Sequence, residues 1–360
     1  MISILFGILI SIVILEVIFR ILPVRDSLLP LPVNSSNPVI RFTENRDVVW
    51  SQGPTFSIVT RKHVNNYGFL SNRDYFSSED TPLLAIIGDS YVEAAQVANR
   101  DSLHGILSRQ AENEGRVYSF GASGSPLSTY LAYANYARNE FNANAFVFIV
   151  VGNDFDESLI KYKSAPGFHY FSDTADGLKL IRKDYQPTLV KRLSRRSALI
   201  RYLAFNMNLS WRSIGTMFHN DADDADKMFV GNTRADADEV RISDSKRAVD
   251  RFLEELPVQS GVGKEKILFV VDGMRPHLYN PSALQEARGS YFDLMRNDFI
   301  TKARNAGYEV VDMQPIFIDR HQAEGTRFEF LSDGHWNEAG HALVAETIKD
   351  SIVYQGLFAK

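Results

Sequence analysis

The sequence predicts an α/β protein with a doubly wound sheet of five parallel strands, preceded by a transmembrane helix. Short apolar runs rich in β-branched residues recur between longer amphipathic stretches. These runs are continuous rather than alternating, as in strands buried on both faces. The stretches between them are long enough for helical crossovers. The predicted strands are residues 83–87, 117–120, 145–151, 266–271 and 308–311.

The composition is that of an ordinary globular chain. The 360 residues are 45% hydrophobic and 23% charged, which excludes fibrous and low-complexity classes. A net charge of −5 gives no support for binding a phosphate backbone, so we expect no nucleic-acid partner. The sequence has no cysteine, which excludes disulfides, thiolate metal sites and cysteine nucleophiles but does not identify the compartment.

The amino terminus carries the transmembrane prediction. Residues 2–15 are uncharged and apolar, and the run extends to Val24 if Glu16 and Arg20 are accepted within it. Those two residues are spaced i and i+4, so they can pair on one helix face, and Arg20 can reach the membrane surface. The apolar length then approaches the ~20 residues that span a bilayer.

The flanks of this run favour an uncleaved anchor over residues 1–24. A cleaved signal peptide would carry basic residues before the run and small residues at its end, whereas Pro23 and Val24 follow it. A signal peptide and a helix lying in the membrane interface remain alternatives. By the positive-inside rule, a cytoplasmic body is weakly favoured by Arg20, Arg25, Arg41 and Arg46.

The rest of the chain divides into two parts. Residues 25–81 are rich in Pro, Asn, Ser and Arg, and we expect an extended lead-in with one hairpin rather than a core. Residues 82–360 form the main domain, which an insertion at about 155–263 interrupts between the third and fourth strands. Asp176-Gly177 lies between two alternating runs of this insertion and predicts a hairpin.

Two charged segments of the insertion have competing interpretations. In one segment, five cations stand among apolar residues. This pattern suits a basic amphipathic helix that contacts anionic lipid or polymer, or an ordinary surface helix, which we favour. These cations are Lys191, Arg192, Arg195, Arg196 and Arg201. The other segment lacks the Gly and terminal Glu of an EF-hand loop, so we expect a solvated, mobile loop rather than a calcium site. Its carboxylates are Asp221, Asp223, Asp224 and Asp226.

Ser90 is the candidate nucleophile. The first strand runs into Gly88-Asp89-Ser90, which places Ser90 at the carboxyl end of a strand, where open α/β folds have their sites. Val92 stands where the nucleophile elbow of the α/β-hydrolases requires glycine, so that motif is excluded. Taken alone, the tripeptide is more often a turn and a helix cap.

Two further strands end in residues suited to stabilising an oxyanion. Gly124 follows the second strand, and its amide can approach a site closely because glycine has no Cβ. Asn153 follows the third strand, and its side-chain amide is a hydrogen-bond donor. Each residue has a plainer alternative, a loop glycine and an Asx turn respectively.

A candidate base lies near the carboxyl terminus. His335 precedes the last predicted helix and can reach back over the sheet, while Asp333 is near enough to orient its ring. A single loop histidine is usually structural, and we expect His341 in the following helix to be so. Four signals of the right types, each after a strand or before the final helix, together favour a serine hydrolase site.

These segments resemble the four sequence blocks of the SGNH hydrolases, also called the GDSL esterase/lipase superfamily. The blocks are GDSYVEA, FGASGSP, VVGNDFDE and DGHWNEAGH, within about residues 82–155 and 264–352. The resemblance implies a flavodoxin-like three-layer α/β/α fold with no metal or organic cofactor. It also implies a nucleophile and a base, with three oxyanion donors. The nucleophile is Ser90 and the base is His335. The oxyanion donors are the backbone amides of Ser90 and Gly124 and the side chain of Asn153.

The last block departs from the commoner D-x-x-H spacing of this superfamily. Ser332 occupies the position of that aspartate, and Asp333 stands one residue closer to His335. Asp333 is therefore the candidate acid at a shortened spacing.

The lead-in contributes a second resemblance. The Asn-x-x-Gly-Phe pattern at Asn65, Gly68 and Phe69 is similar to that of bacterial single-pass members of the superfamily. For these members the resemblance implies a catalytic domain outside the cytoplasm, on the periplasmic side, with envelope or exopolysaccharide assembly partners. We follow this implication over the positive-inside count.

The expected activity is hydrolysis of a short acyl ester, most simply acetyl, on an envelope or exopolysaccharide carbohydrate. A lipid substrate, an O-acetyltransferase that uses the same residues, and a non-catalytic glycan-binding component remain alternatives. Several aromatic residues suit sugar stacking but are more often core, namely Trp336, Tyr162, Phe168, Tyr170 and Phe171.

Overall fold

The computed structural model describes residues 2–78, 80–209 and 228–358. The acidic segment at residues 221–226 lies outside these ranges, so its interpretation as a solvated loop stays a prediction. The strands of the described part are β1 (Arg46–Gln52), β2 (Ile58–Val64), β3 (Leu83–Gly88), β4 (Arg116–Gly121), β5 (Ala145–Val150), β6 (His169–Thr174), β7 (Gly177–Arg182), β8 (Phe229–Val230), β9 (Thr233–Arg234), β10 (Ile267–Val271), β11 (Glu309–Asp312), β12 (Glu329–Phe330) and β13 (Asp333–Trp336).

The α-helices of the same part of the chain range from one turn to six. They are α1 (Ile2–Ile21), α2 (Ser90–Glu93), α3 (Leu103–Gln110), α4 (Leu127–Phe141), α5 (Leu189–Ser194), α6 (Ala198–Arg201), α7 (Glu239–Ser260), α8 (Pro281–Ala287), α9 (Tyr291–Asn305), α10 (Met313–Glu324), α11 (Glu338–Lys349) and α12 (Ile352–Phe358).

Five parallel strands form the central sheet in the order β11–β10–β5–β3–β4. Numbered among themselves, these strands have the order 2-1-3-4-5 of flavodoxin-like folds. They are the five strands that the sequence predicts, with ends that differ by one residue. Every residue of β3, β4, β5 and β10 is buried, which explains their unbroken apolar runs.

Helices cover both faces of this sheet. α3 packs against α11, whereas α7 packs against both α4 and α9. The chain reverses its direction across the sheet after β4, so right-handed crossovers place α3 on one face and α4, α7 and α9 on the other. The fold is therefore the expected three-layer α/β/α arrangement.

The lead-in forms the expected hairpin from β1 and β2, but it is also more closely packed than its composition predicts. Phe42 and Trp50 of the lead-in share a buried apolar cluster with Phe168 and Tyr170 of the insertion. The sequence did not show this core because its two halves are far apart along the chain.

The Asn-x-x-Gly-Phe turn holds the lead-in in this position. The side-chain oxygen of Asn65 accepts hydrogen bonds from the backbone N–H groups of Tyr67 and Phe69, both at 3.0 Å. Gly68 has φ +80°, and a Cβ there would lie 2.3 Å from the carbonyl oxygen of Phe42. Only glycine fits this position without displacing backbone.

The insertion contains the predicted hairpin, formed by β6 and β7. Its basic segment is not one continuous helix. α5 ends at Ser194, Ser197 caps α6, and a π-helical turn follows at Tyr202–Asn206. The break arises because the hydroxyl of Ser197 accepts a hydrogen bond from the backbone N–H of Ile200, which begins a new helix.

Among the described residues, α1 is the one helix that is long and apolar enough to cross a membrane, although a signal sequence would pass the same test. The predicted ion pair of Glu16 and Arg20 is present, with Nε of the arginine 2.8 Å from Oε1 of the glutamate. Glu16 also accepts hydrogen bonds from the insertion, from the hydroxyl of Ser197 at 2.7 Å and from two backbone N–H groups. The carboxyl end of α1 is thus tied to the main domain.

Candidate active site

Ser90 lies directly after β3, the strand that pairs with both β4 and β5. Its hydroxyl has two neighbours, Nε2 of His335 at 2.7 Å and a carboxylate oxygen of Asp89 at 3.2 Å. A serine hydroxyl has one proton and donates to one acceptor at a time, and the distance to His335 is the typical one. Asp89 caps α2 by accepting a hydrogen bond from the backbone N–H of Tyr91, and burial raises the pKa of its carboxyl.

The shortened spacing between Asp333 and His335 is explained by β13, which contains both residues. Side chains two positions apart on a strand face the same side, so Asp333 meets the ring of its neighbour without an extra residue. One of its carboxylate oxygens contacts Nδ1 of His335 and also accepts the backbone N–H of His335 at 2.9 Å. Burial acts to raise the pKa of Asp333, but these contacts outweigh it and hold that pKa below its usual value.

A buried ion pair supports strand β13 next to the candidate histidine. Arg275 and Asp272 follow β10, and Nη2 of the arginine lies 2.6 Å from Oδ2 of the aspartate. Arg275 also donates to the carbonyl oxygen of Gly334 at 3.1 Å, and the hydroxyl of Tyr91 donates to the same oxygen at 3.1 Å. Sequence reasoning missed this pair, although an aspartate directly after a buried strand is the same signal that marked the other sites.

The aromatic residues are mostly core, in agreement with their more frequent role. Trp336 is fully buried and donates its indole N–H to Asp272 at 3.0 Å, and Tyr170 and Phe171 are also fully buried. They cannot stack on a sugar. His341 is structural as expected, because it is buried and its Nδ1 accepts the backbone N–H of Leu103 at 3.2 Å.

An ion pair connects Gly124 and Asn153, two of the three candidate oxyanion donors. Gly124 follows β4 with φ +81°, and its carbonyl oxygen accepts a hydrogen bond from Nζ of Lys163 at 2.8 Å. Lys163 pairs with Glu157, which in turn accepts Nδ2 of Asn153 at 3.0 Å. A side-chain amide has two N–H bonds, so Asn153 keeps one for another acceptor. Lys163 lies outside the four sequence blocks and Glu157 is the last residue of the third, and sequence reasoning assigned a role to neither.

A cavity of about 480 Å³ opens on Ser90 and His335. Its wall comes from the lead-in and the insertion, with Trp50 and Gln52 from the first and Phe205 and Asn206 from the second. The motifs therefore supply the reacting groups, whereas segments outside the motifs form most of the surrounding surface.

This arrangement is suited to nucleophilic chemistry by serine. The histidine is within reach of the serine proton, and a carboxylate on its far side fixes the tautomer that can accept it. Within the described ranges, no group of three or more His, Asp or Glu side chains is placed to hold a metal ion.

No protein-family model matches the sequence, and no curated protein is significantly similar to it. Among solved structures, it is similar to a lipase/acylhydrolase from Enterococcus faecalis at 12% identity and a TM-score of 0.37, covering 75% of this chain and 96% of that one. It is also similar to an acetyl xylan esterase at 12% identity and a TM-score of 0.38, covering 74% of this chain and 97% of that one. A third similar structure is a GDSL-like lipase from Bacteroides thetaiotaomicron, at 10% identity and a TM-score of 0.35, covering 75% of this chain and 87% of that one. At these values, the function has to be argued from the site itself, where Ser90, His335 and Asp333 are in contact.

Proposed function

We propose that this protein is a serine ester hydrolase of the SGNH type. The observation that carries the proposal is the 2.7 Å contact between Ser90 Oγ and His335 Nε2, with Asp333 on the other ring nitrogen. A general base within reach of a serine, and itself oriented by a carboxylate, is the arrangement that activates a serine nucleophile. The resemblance of the sequence blocks around these residues supports the same activity.

In the proposed reaction, Ser90 Oγ attacks the ester carbonyl carbon while its proton passes to His335 Nε2, and Asp333 stabilises the imidazolium. The oxyanion is held by the backbone N–H groups of Ser90 and Gly124 and by Asn153 Nδ2. The alcohol then leaves with the proton from His335, and the acyl group stays on Ser90. Water attacks this acyl-enzyme with His335 as base, which releases the acid and restores Ser90.

The proposed substrate is a short acyl ester, most simply acetyl, on an envelope or exopolysaccharide carbohydrate. The polar lining of the cavity supports it, because Gln52 and Gln96 offer hydrogen bonds that suit the hydroxyl groups of a sugar. Transfer to a sugar hydroxyl instead of water would use the same residues. The two reactions differ only in what attacks the acyl-enzyme.

We also propose that α1 stays attached as an anchor, with the main domain outside the cytoplasm. The three hydrogen bonds that Glu16 accepts from the insertion support retention of the helix. The orientation follows the resemblance of the lead-in. It can be tested by introducing Val258→Cys, an 80% exposed position in a chain without cysteine, and labelling intact cells with a membrane-impermeant maleimide. Labelling only after lysis would contradict this orientation.

The activity is tested by incubating the full chain in detergent with an acetylated polysaccharide, with and without a deacetylated acceptor. We expect the wild type to release acetate and Ser90→Ala to release none. Acetyl transfer to the acceptor without acetate release would identify a transferase. If a folded wild type hydrolyses no ester, the remaining interpretation is a non-catalytic glycan-binding component.

A further inference from the structure

Arg25 is a half-buried cation beside the candidate active site. It follows α1 by a few residues, and its backbone N–H donates to the side chain of Asn206 in the insertion at 3.2 Å. Its guanidinium lies over the ring of Trp50, 4.9 Å from the centroid, and 5.7 Å from that of Phe205. The two rings hold the planar group in place from the lead-in and from the insertion.

The guanidinium of Arg25 differs from other buried guanidinium groups in its partners. In the described part of the chain it makes no hydrogen bond and no ion pair. A buried charge is ordinarily compensated by a partner, because desolvation without one is costly. Fully buried arginines elsewhere in the structure follow this rule, namely Arg275 with Asp272, Arg241 with Asp156 and Arg296 with Asp312.

The position of Arg25 connects two cavities. It lines the cavity that contains Ser90 and His335, and it also lines a neighbouring cavity of about 280 Å³. Lys191 and Arg195 line this second cavity. The basic segment of the insertion therefore contributes cations to the cavity that neighbours the one with the reacting groups.

The carboxylates near these cations are already engaged. Asp26 pairs with Arg201. Glu93 accepts hydrogen bonds from both the backbone N–H and the hydroxyl of Ser123. Because the partners of Glu93 are uncharged, Glu93 remains as one carboxylate outside an ion pair. Three lining cations form no ion pair in the described part of the chain, namely Arg25, Lys191 and Arg195, so the unpaired charge that faces the two cavities is positive on balance.

We propose that Arg25, assisted by Lys191 and Arg195, binds a carboxylate or phosphate group of the acylated substrate, so that the preferred substrate is an anionic ester. This inference rests on the proposed function, because it names the substrate class of the same site. The fixed planar guanidinium matches the geometry of either anion, and both ring contacts leave its N–H edge free for such a bond.

The competing explanation is that Arg25 only balances the charges of Glu93 and Asp333. Burial lowers the pKa of Arg25, and these two carboxylates act against that shift. Under that explanation, replacing Arg25 would lower stability or reactivity without changing the response to a ligand. The test therefore has to measure discrimination between ligands and not activity alone.

The rate at which a fluorophosphonate labels Ser90 provides this readout, measured on the full chain in detergent by intact mass. Glucose, glucuronate and glucose 6-phosphate are added as protecting ligands, which share a ring and differ in charge. We expect the better anion to protect the wild type at a concentration about tenfold below that of glucose, as for a charge-assisted hydrogen bond. The carboxylate and phosphate arms then show which anion the site takes.

Four variants complete the test. Arg25→Gln should reduce the difference between anion and glucose to about twofold or less, and Arg25→Lys should retain part of it. The double variant Lys191→Gln, Arg195→Gln should reduce the difference between anion and glucose by a smaller amount. This variant keeps the proposal testable if Arg25→Gln does not fold. Arg192→Gln removes an exposed cation of the same helix, α5, and should leave the difference unchanged.

Equal protection by the three ligands in a wild type that is labelled normally would overturn this inference and leave the proposed function intact. A difference that survives Arg25→Gln would also overturn it. Absence of labelling in a folded wild type would overturn the proposed function and this inference with it.

Discussion

The carboxyl edge of the sheet and the wall of the cavity beside it are built in different ways. At the edge, Ser90, Gly124 and Asn153 follow three adjacent parallel strands, so the topology alone brings them to one row. The wall takes Arg25 from the lead-in and Phe205 from the insertion, segments that are distant along the chain. Reacting groups can therefore be recognised from short motifs, whereas the surface that selects a substrate depends on long-range packing.

The largest effect expected at the edge distinguishes two candidate acids. Asp333→Asn should lower kcat by about 10³ to 10⁴, because the histidine loses the carboxylate that fixes its tautomer. Ser332→Ala, at the position that the commoner spacing would use, should stay within about twofold of wild type. Steady-state hydrolysis of a soluble acetyl ester measures both, and similar losses in the two variants would contradict the assignment of Asp333.

A smaller loss is expected at the neighbouring strand. Asn153→Ala removes a proposed oxyanion donor and should lower kcat by about 10² to 10³. The same ester assay gives the value, with circular dichroism as the check on folding. A variant that keeps more than about a third of wild-type turnover would show that Asn153 is only the Asx turn of the plainer interpretation.

The next prediction concerns the connection between edge and insertion. Lys163→Met should lower kcat by about tenfold with little change in KM, because Lys163 positions Gly124 directly and Asn153 through Glu157 and touches no reacting atom. Combined with Asn153→Ala, it should then cost little more than Asn153→Ala alone. Multiplied losses in the double variant would mean that Lys163 acts independently of Asn153.

The smallest expected effect is on stability and compares both regions. Burial lowers the pKa of His104 in α3 to about 3 and that of His169 in the insertion to about 4. Below the ordinary pKa of about 6.5, the unfolded chain therefore binds protons that the folded chain does not, and stability falls as pH decreases. Each histidine should cost about 1 kcal/mol between pH 6.5 and pH 5.5.

Thermal unfolding at the two pH values measures this loss, with His104→Gln and His169→Gln each reducing it. If the sheet and the insertion unfold as one unit, both variants affect the same transition. Two transitions, each sensitive to one histidine, would show that the insertion and lead-in form a separate unit from the sheet.

The same contrast explains what could be predicted from the sequence. The strands β3, β4, β5 and β10 were predicted because burial on both faces leaves a largely apolar run, and the half-buried β11 because its short run is also β-branched. Ser90 and His335 were predicted because they lie next to such runs or before the last predicted helix. The support for His335 by Arg275 was not predicted, since its hydrogen bond to the carbonyl oxygen of Gly334 joins two residues that are far apart along the chain. Arg25 was counted only as a flank of α1, because its contacts with Trp50 and Phe205 arise from tertiary packing.

The most direct test of the central claim is the intact mass of the full chain after exposure to a fluorophosphonate, for wild type, Ser90→Ala and His335→Ala. An activated serine at the carboxyl edge of the sheet predicts one adduct on the wild type and none on either variant. An adduct that persists in Ser90→Ala, or a folded wild type that forms none, would contradict the claim that Ser90 and His335 form a nucleophilic site.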